Sequence, residues 1–164
     1  MTEVLSYFSI KETNVIGHSF GGRVGIVLAS QTNTVKRLVL ISSAGIKPRR
    51  NIFYHIKRLA YYRAKAKGRP LEKYYSADYK AMPDELKGVF SRIVCEDLSE
   101  KLKKIFCPVL VFSGNRDKET PMYMAKKINK IIPNSRLVRL NGDHFVFLRE
   151  KLLIANEIDN FLEG

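Results

Sequence analysis

The stretch Asn14-Val15-Ile16-Gly17-His18-Ser19-Phe20-Gly21-Gly22 decides how this chain is read. Its apolar start can form a strand, and Arg23 to Ala29 can continue as a helix. Between them, Gly-x-Ser-x-Gly predicts a sharp strand–turn–helix corner with Ser19 at the apex. A strained turn of this kind holds the serine hydroxyl clear of the backbone. Gly17 and Gly21 flank it because side chains there are expected to collide across the turn. Gly22 is expected to let the helix lie close to the strand. The N-terminus of that helix supplies partial positive charge where an oxyanion would develop.

Working outward, Pro108-Val109-Leu110-Val111-Phe112-Ser113-Gly114 is a continuous apolar run, as a strand buried on both faces requires. Asn115-Arg116-Asp117-Lys118-Glu119-Thr120-Pro121 follows as a loop, then a helix over Pro121–Ile132 closed by Pro133-Asn134. Arg136–Leu140 alternates as a strand, and Asn141-Gly142-Asp143-His144-Phe145 ends it. With strands also over Asn14–Gly17 and Arg37–Ser42 and a helix over Phe20–Gln31, strands and helices alternate. That pattern predicts an α/β fold with a parallel sheet and flanking helices. A last helix over Phe147–Leu162 is expected to turn Leu148, Leu152, Ala155, Ile158, Phe161 and Leu162 toward the core.

The three motifs stand in the order Ser, Asp, His, each at the end of a predicted strand. In this the chain resembles the α/β-hydrolase superfamily, and its GHSFGG form is similar to small esterase-type members. Asn115–Pro121 is similar to the family's G-x-x-D-x-x-x-P loop after the seventh strand. The resemblance implies a triad of Ser19 as nucleophile, His144 as base and Asp117 as the orienting acid. It implies an oxyanion donor at the Phe20 N–H, with Gly17, Gly21 and Gly22 shaping the elbow. The chemistry implied is hydrolysis of an ester, thioester or related acyl bond of a small molecule, with no cofactor. The same fold and triad also serve acyl transfer, lyase and haloperoxidase-like reactions.

Other candidates carry less weight. Glu119 competes with Asp117 as the acid. Asp143 precedes His144, and its side chain is expected to point away from the ring. His18 reads as a packed or hydrogen-bonded elbow residue, and His55 as a surface or cap residue. With three histidines in all, no His-rich metal site is expected. Cys95 and Cys107 are too few for a disulfide framework, so a reducing cytoplasm is the expected compartment.

The 164 residues suffice for one domain with a core, and a 45% hydrophobic content excludes a disordered chain. No apolar run approaches the ~20 residues of a membrane span, and the N-terminus lacks the features of a signal peptide. In the family, four strands and their helices precede the elbow, whereas here Gly17 already belongs to it. The chain therefore reads as the C-terminal part of the fold. The His-Gly loop that donates the second oxyanion N–H in the family is absent, since no His-Gly pair occurs in the sequence. Such a fragment could also be non-catalytic, or a partner-binding piece. At the exposed edge of the first strand a homo-oligomer, a complementing N-terminal chain, or aggregation is expected.

Residues 46–105 are too long for a simple crossover and read as a small helical cap inserted into a core of residues 1–45 and 106–164. Ile52, Phe53, Ile56, Leu59 and Ala60 form one face of a first cap helix, ended at Gly68-Arg69-Pro70. Leu86, Val89, Phe90, Ile93 and Val94 repeat the spacing in a second. Tyr54, Tyr61, Tyr62, Tyr74, Tyr75 and Tyr79 add amphipathic surface. The net charge is +13, from 29 basic and 16 acidic residues. Much of it lies at Lys47, Arg49, Arg50, Lys57, Arg58, Arg63, Lys65, Lys67 and Arg69. A solvated basic face, or attraction of an anionic or membrane-borne substrate, accounts for that run. Nucleic acid is not the expected partner, because no zinc-finger spacing or RNP-type strand accompanies the charge.

Overall fold

A computed structural model describes residues 2–49, 52–75, 79–80 and 82–164. Arg50 and the side chains of Phe53 and Tyr54 lie outside the described residues. The elements run α1 (Thr2–Tyr7), β1 (Thr13–His18), α2 (Phe20–Gln31), β2 (Val35–Ile41), α3 (Ile52–Ala66), a 3-10 turn (Glu72–Tyr74), α4 (Asp84–Cys95), α5 (Ser99–Leu102), β3 (Val109–Gly114), α6 (Met122–Ile131), β4 (Ser135–Leu140), α7 (Val146–Arg149) and α8 (Lys151–Glu163). No described helix is long and apolar enough to cross a membrane.

The chain divides into two compact units, one of residues 1–46 with 97–164 and one of residues 47–96. The first unit is built on a parallel sheet that, among the described residues, has four strands in the order β1-β2-β3-β4. It is α/β with flanking helices, a partial version of the fold expected. The period-2 alternation of strand side chains assigns the core to two layers. Leu38, Leu40, Val109 and Val111 face α2, α5 and α6, where Ile26, Leu28, Leu102, Met124 and Ile128 are buried against them. Val39, Ile41, Leu110, Phe112 and Leu140 point to the other face, onto Val146 and Ile154. Every residue of β3 is buried, which is why its sequence lacks polar alternation.

Two expectations are corrected here. Residues 97–105 belong with the sheet unit, because Leu98, Leu102 and Ile105 are buried in its core. The inserted unit is therefore shorter than residues 46–105. The last helix is also broken at Glu150, whose φ of −99° and ψ of 29° depart from helical values. The break resets the helical face. Leu148 and Leu152 stand 64% and 74% exposed, while Ile154 is buried and Phe147, Ile158 and Phe161 pack against the same layer.

In the second unit, α3 ends where Gly68 takes φ +61° and the Arg69 N–H donates to the Ala64 carbonyl at 3.0 Å. This is the glycine-terminated stop that the sequence predicts. The tyrosines pack on one another. The Tyr61 ring lies 5.4 Å from Tyr62 and 5.7 Å from Tyr74, and Tyr75 lies 4.7 Å from Tyr79. The Tyr74 hydroxyl donates to the Ala60 carbonyl.

Candidate active site

Ser19 sits between β1 and α2 with φ +50° and ψ −113°, a conformation a non-glycine residue rarely adopts. The surrounding backbone fixes it there. Its N–H donates to the Ile41 carbonyl, and its own carbonyl accepts from the Gly22 and Ala44 N–H groups, all at 3.1 Å. Gly17 is sterically required, since a Cβ there would lie 2.5 Å from the Gly21 carbonyl oxygen. Gly21 is not required for the reason expected. A Cβ at that position meets nothing within 4 Å. Gly22 matters because its Cα faces Ser43, just past the end of β2, where a side chain would collide. Phe20 opens α2, so its N–H has no partner within the helix.

The loops after β3 and β4 are tied together. The Asn115 N–H donates to the Leu140 carbonyl and the Arg116 N–H to the Gly142 carbonyl, both at 2.9 Å, and the Asn115 side chain accepts from the Gly142 N–H. Gly114 permits this approach, because a Cβ there would lie 2.6 Å from the Asp143 carbonyl oxygen. The tie sets Asp117 beside His144 although 27 positions separate them.

The structure brings Ser19, His144 and Asp117 into one hydrogen-bonded line. His144 Nε2 lies 3.0 Å from Ser19 Oγ, and His144 Nδ1 lies 2.9 Å from Asp117 Oδ2. A carboxylate on Nδ1 fixes the proton on that nitrogen and leaves Nε2 to accept from the serine hydroxyl. Both His144 and Asp117 are buried. Burial alone would raise the Asp117 pKa. The Thr120 backbone N–H, the His144 ring and the Thr120 hydroxyl outweigh it and hold the carboxyl below its ordinary value. Asp117 Oδ1 accepts from the Glu119 and Thr120 N–H groups at 2.9 and 2.8 Å, and Oδ2 accepts from Thr120 Oγ1 at 2.8 Å.

The remaining candidates fall around this line. Glu119 is largely exposed, with a carboxylate oxygen 3.3 Å from His144 Nε2, on the serine side of the ring rather than the Asp117 side. Asp143 accepts from the Phe145 N–H and faces Arg149, away from the imidazole. His18 Nε2 donates to the His144 carbonyl at 3.1 Å, and its ring lies 4.9 Å from the His144 ring. It therefore steadies the histidine from the backbone side. Thr120 was not singled out in the sequence, and its place three residues after an aspartate is the signal that marks it as a loop-capping hydroxyl.

The chain matches the alpha/beta hydrolase family over residues 2–156, and it belongs to that family. Among solved structures it is similar to a hydrolase from Pseudomonas aeruginosa PA01, with 22% identity and a TM-score of 0.72, over 99% of this chain and 69% of that one. It is also similar to the enol-lactonase from Burkholderia xenovorans LB400, at 20% identity and TM-score 0.67, over 98% and 69% of the two chains. A third is the meta-cleavage product hydrolase of Pseudomonas fluorescens IP01, at 16% identity and TM-score 0.68, over 98% and 68%. At these identities the likeness concerns the fold. No curated protein matches the chain by sequence at a significant level.

Proposed function

We propose that this chain is a serine hydrolase that cleaves an ester, thioester or related acyl bond of a small molecule. The observation that carries the reading is the line Ser19 Oγ–His144 Nε2 at 3.0 Å and His144 Nδ1–Asp117 Oδ2 at 2.9 Å. Both spacings lie within the reach that proton transfer requires. In this reading Ser19 Oγ attacks the carbonyl carbon while its proton passes to His144 Nε2. Asp117 holds the imidazole in the productive tautomer and stabilises the imidazolium. The Phe20 N–H donates to the oxyanion. His144 returns the proton to the leaving group, then deprotonates the water that releases the acyl group from Ser19. None of these steps calls for a cofactor. The fold is shared with an enol-lactonase, and a lactone is a cyclic ester, which favours an acyl bond of that type. Free thiols at Cys95 and Cys107 suit a reducing compartment such as the cytoplasm.

The test is labelling by an active-site fluorophosphonate together with turnover of a short p-nitrophenyl ester panel. The wild-type chain is expected to be labelled at Ser19, and Ser19→Ala to lose both labelling and turnover. A folded wild-type chain that takes no label, or labels at another residue, overturns the reading.

A further inference from the structure

The second unit carries a surface that the hydrolytic reading does not use. From Thr13 to Leu71 the chain contains no aspartate or glutamate. Within that stretch, α3 exposes Ile52, Ile56 and Leu59 to the extent of 67%, 57% and 52%. Their i, i+4, i+7 spacing lines them along one side of the helix. Continuous with Ile56 and Leu59 is a groove of about 330 Å³ whose other walls include Arg63, Lys67, Arg69 and Lys73.

Among the described residues none of these four cations has a carboxylate partner, and Lys73 instead lies 5.2 Å from the Tyr74 ring. The neighbouring acid, Glu72, is exposed and does not line the groove. The helix dipole accounts for cations in the last turn of α3, namely Arg63 and Lys65. It does not reach Lys67, Arg69 and Lys73, which lie beyond that turn.

In water this surface is unfavourable on two counts, with an aliphatic stripe left wet and like charges crowded beside it. A bilayer with acidic lipid relieves both at once. Its acyl boundary takes the aliphatic stripe, and its phosphates take the cations, whose long stems let the charge reach the headgroups. A nucleic acid would satisfy the cations and leave Ile52, Ile56 and Leu59 wet. We propose that the second unit docks on an anionic lipid surface through α3, with phospholipid phosphate held in the groove at Arg63, Lys67, Arg69 and Lys73. The proposal is independent of hydrolysis.

Co-sedimentation of the full chain with vesicles tests it, using phosphatidylcholine alone, a phosphatidylcholine–phosphatidylglycerol mixture, soluble glycerol phosphate as competitor, and a duplex oligonucleotide. Binding is expected to the mixed vesicles, to weaken with added salt, and to be far weaker on neutral vesicles. Arg63→Gln with Lys67→Gln should weaken it roughly 25-fold, about fivefold for each cation removed. Ile56→Ser with Leu59→Ser should weaken it at least tenfold, and because these four side chains are exposed, unchanged thermal melts are expected to accompany the loss. Equal binding to neutral vesicles overturns the proposal, as does binding untouched by the Ile56/Leu59 pair. Tighter binding to the duplex, or full displacement by glycerol phosphate at matched phosphate concentration, also overturns it in favour of a nucleic acid or a free phosphate compound.

Discussion

Two acids approach opposite nitrogens of His144, and their roles separate under substitution. Asp117 is buried and holds Nδ1, whereas Glu119 is exposed and lies 3.3 Å from Nε2. Asp117→Asn should lower turnover by about 10⁴, through loss of the tautomer and of imidazolium stabilisation. Glu119→Gln should cost less than tenfold, and ester hydrolysis rates for the two variants decide the assignment. The same aspartate leaves a mark on stability. Its folded carboxyl is held below the unfolded value, so it stabilises the native state above about pH 4. That contribution is lost as the pH falls through the folded value, so Asp117→Asn should flatten the acid limb of urea midpoint against pH. The elbow glycines divide too. Gly17→Ala should destabilise by about 1–3 kcal/mol or more, because its clash is with backbone. Gly21→Ala, inside α2 and facing open space, should be neutral or stabilising in a thermal melt. Ser19, Asp117 and His144 were legible in the sequence because each sits in a short loop closing a recognisable strand. The Thr120 and His18 contacts were not, since they depend on how the loop backbones curl after leaving the sheet.

At the scale of elements, β1 is one of the two edge strands of the described sheet, β4 being the other. Among the described residues it pairs on one side only, with β2. Val15 packs toward the α2 layer, while Ile16 points to the opposite face and is 54% exposed. An open strand edge beside exposed aliphatic surface is a template for another strand. The 164-residue chain is therefore expected to self-associate as concentration rises, or to accept a complementing strand. Hydrogen exchange at Val15 and Ile16 should be much faster than at Val111 in dilute samples and should slow on association. A monomer at all concentrations with β1 amides as protected as those of β3 would contradict this. The strands were readable to within two residues from apolar runs and their flanking turns. The break at Glu150 was not readable, because no glycine or proline marks it, and the packing of Val146 and Ile154 sets it instead.

At the scale of the molecule, the sequence announced an inserted, basic segment but misjudged where it returns. Leu98, Leu102 and Ile105 read equally well as the tail of a cap or as sheet-covering residues, and only their burial beneath β2 and β3 decides. The return point has its own geometry. The Leu98 N–H donates to the Gly45 carbonyl at 2.8 Å, so the chain leaves the sheet unit and re-enters it at one place. Residues 47–96 are thus inserted between two points of the sheet unit's chain that lie side by side. Replacing them with a short glycine–serine linker should leave a folded sheet unit, with far-ultraviolet dichroism retaining its strand signal. An insertion that starts and ends at one place in the sheet unit lets heredity rewrite residues 47–96 without disturbing the line of Ser19, His144 and Asp117. The surface those residues present to the world can therefore change while the three side chains keep their places.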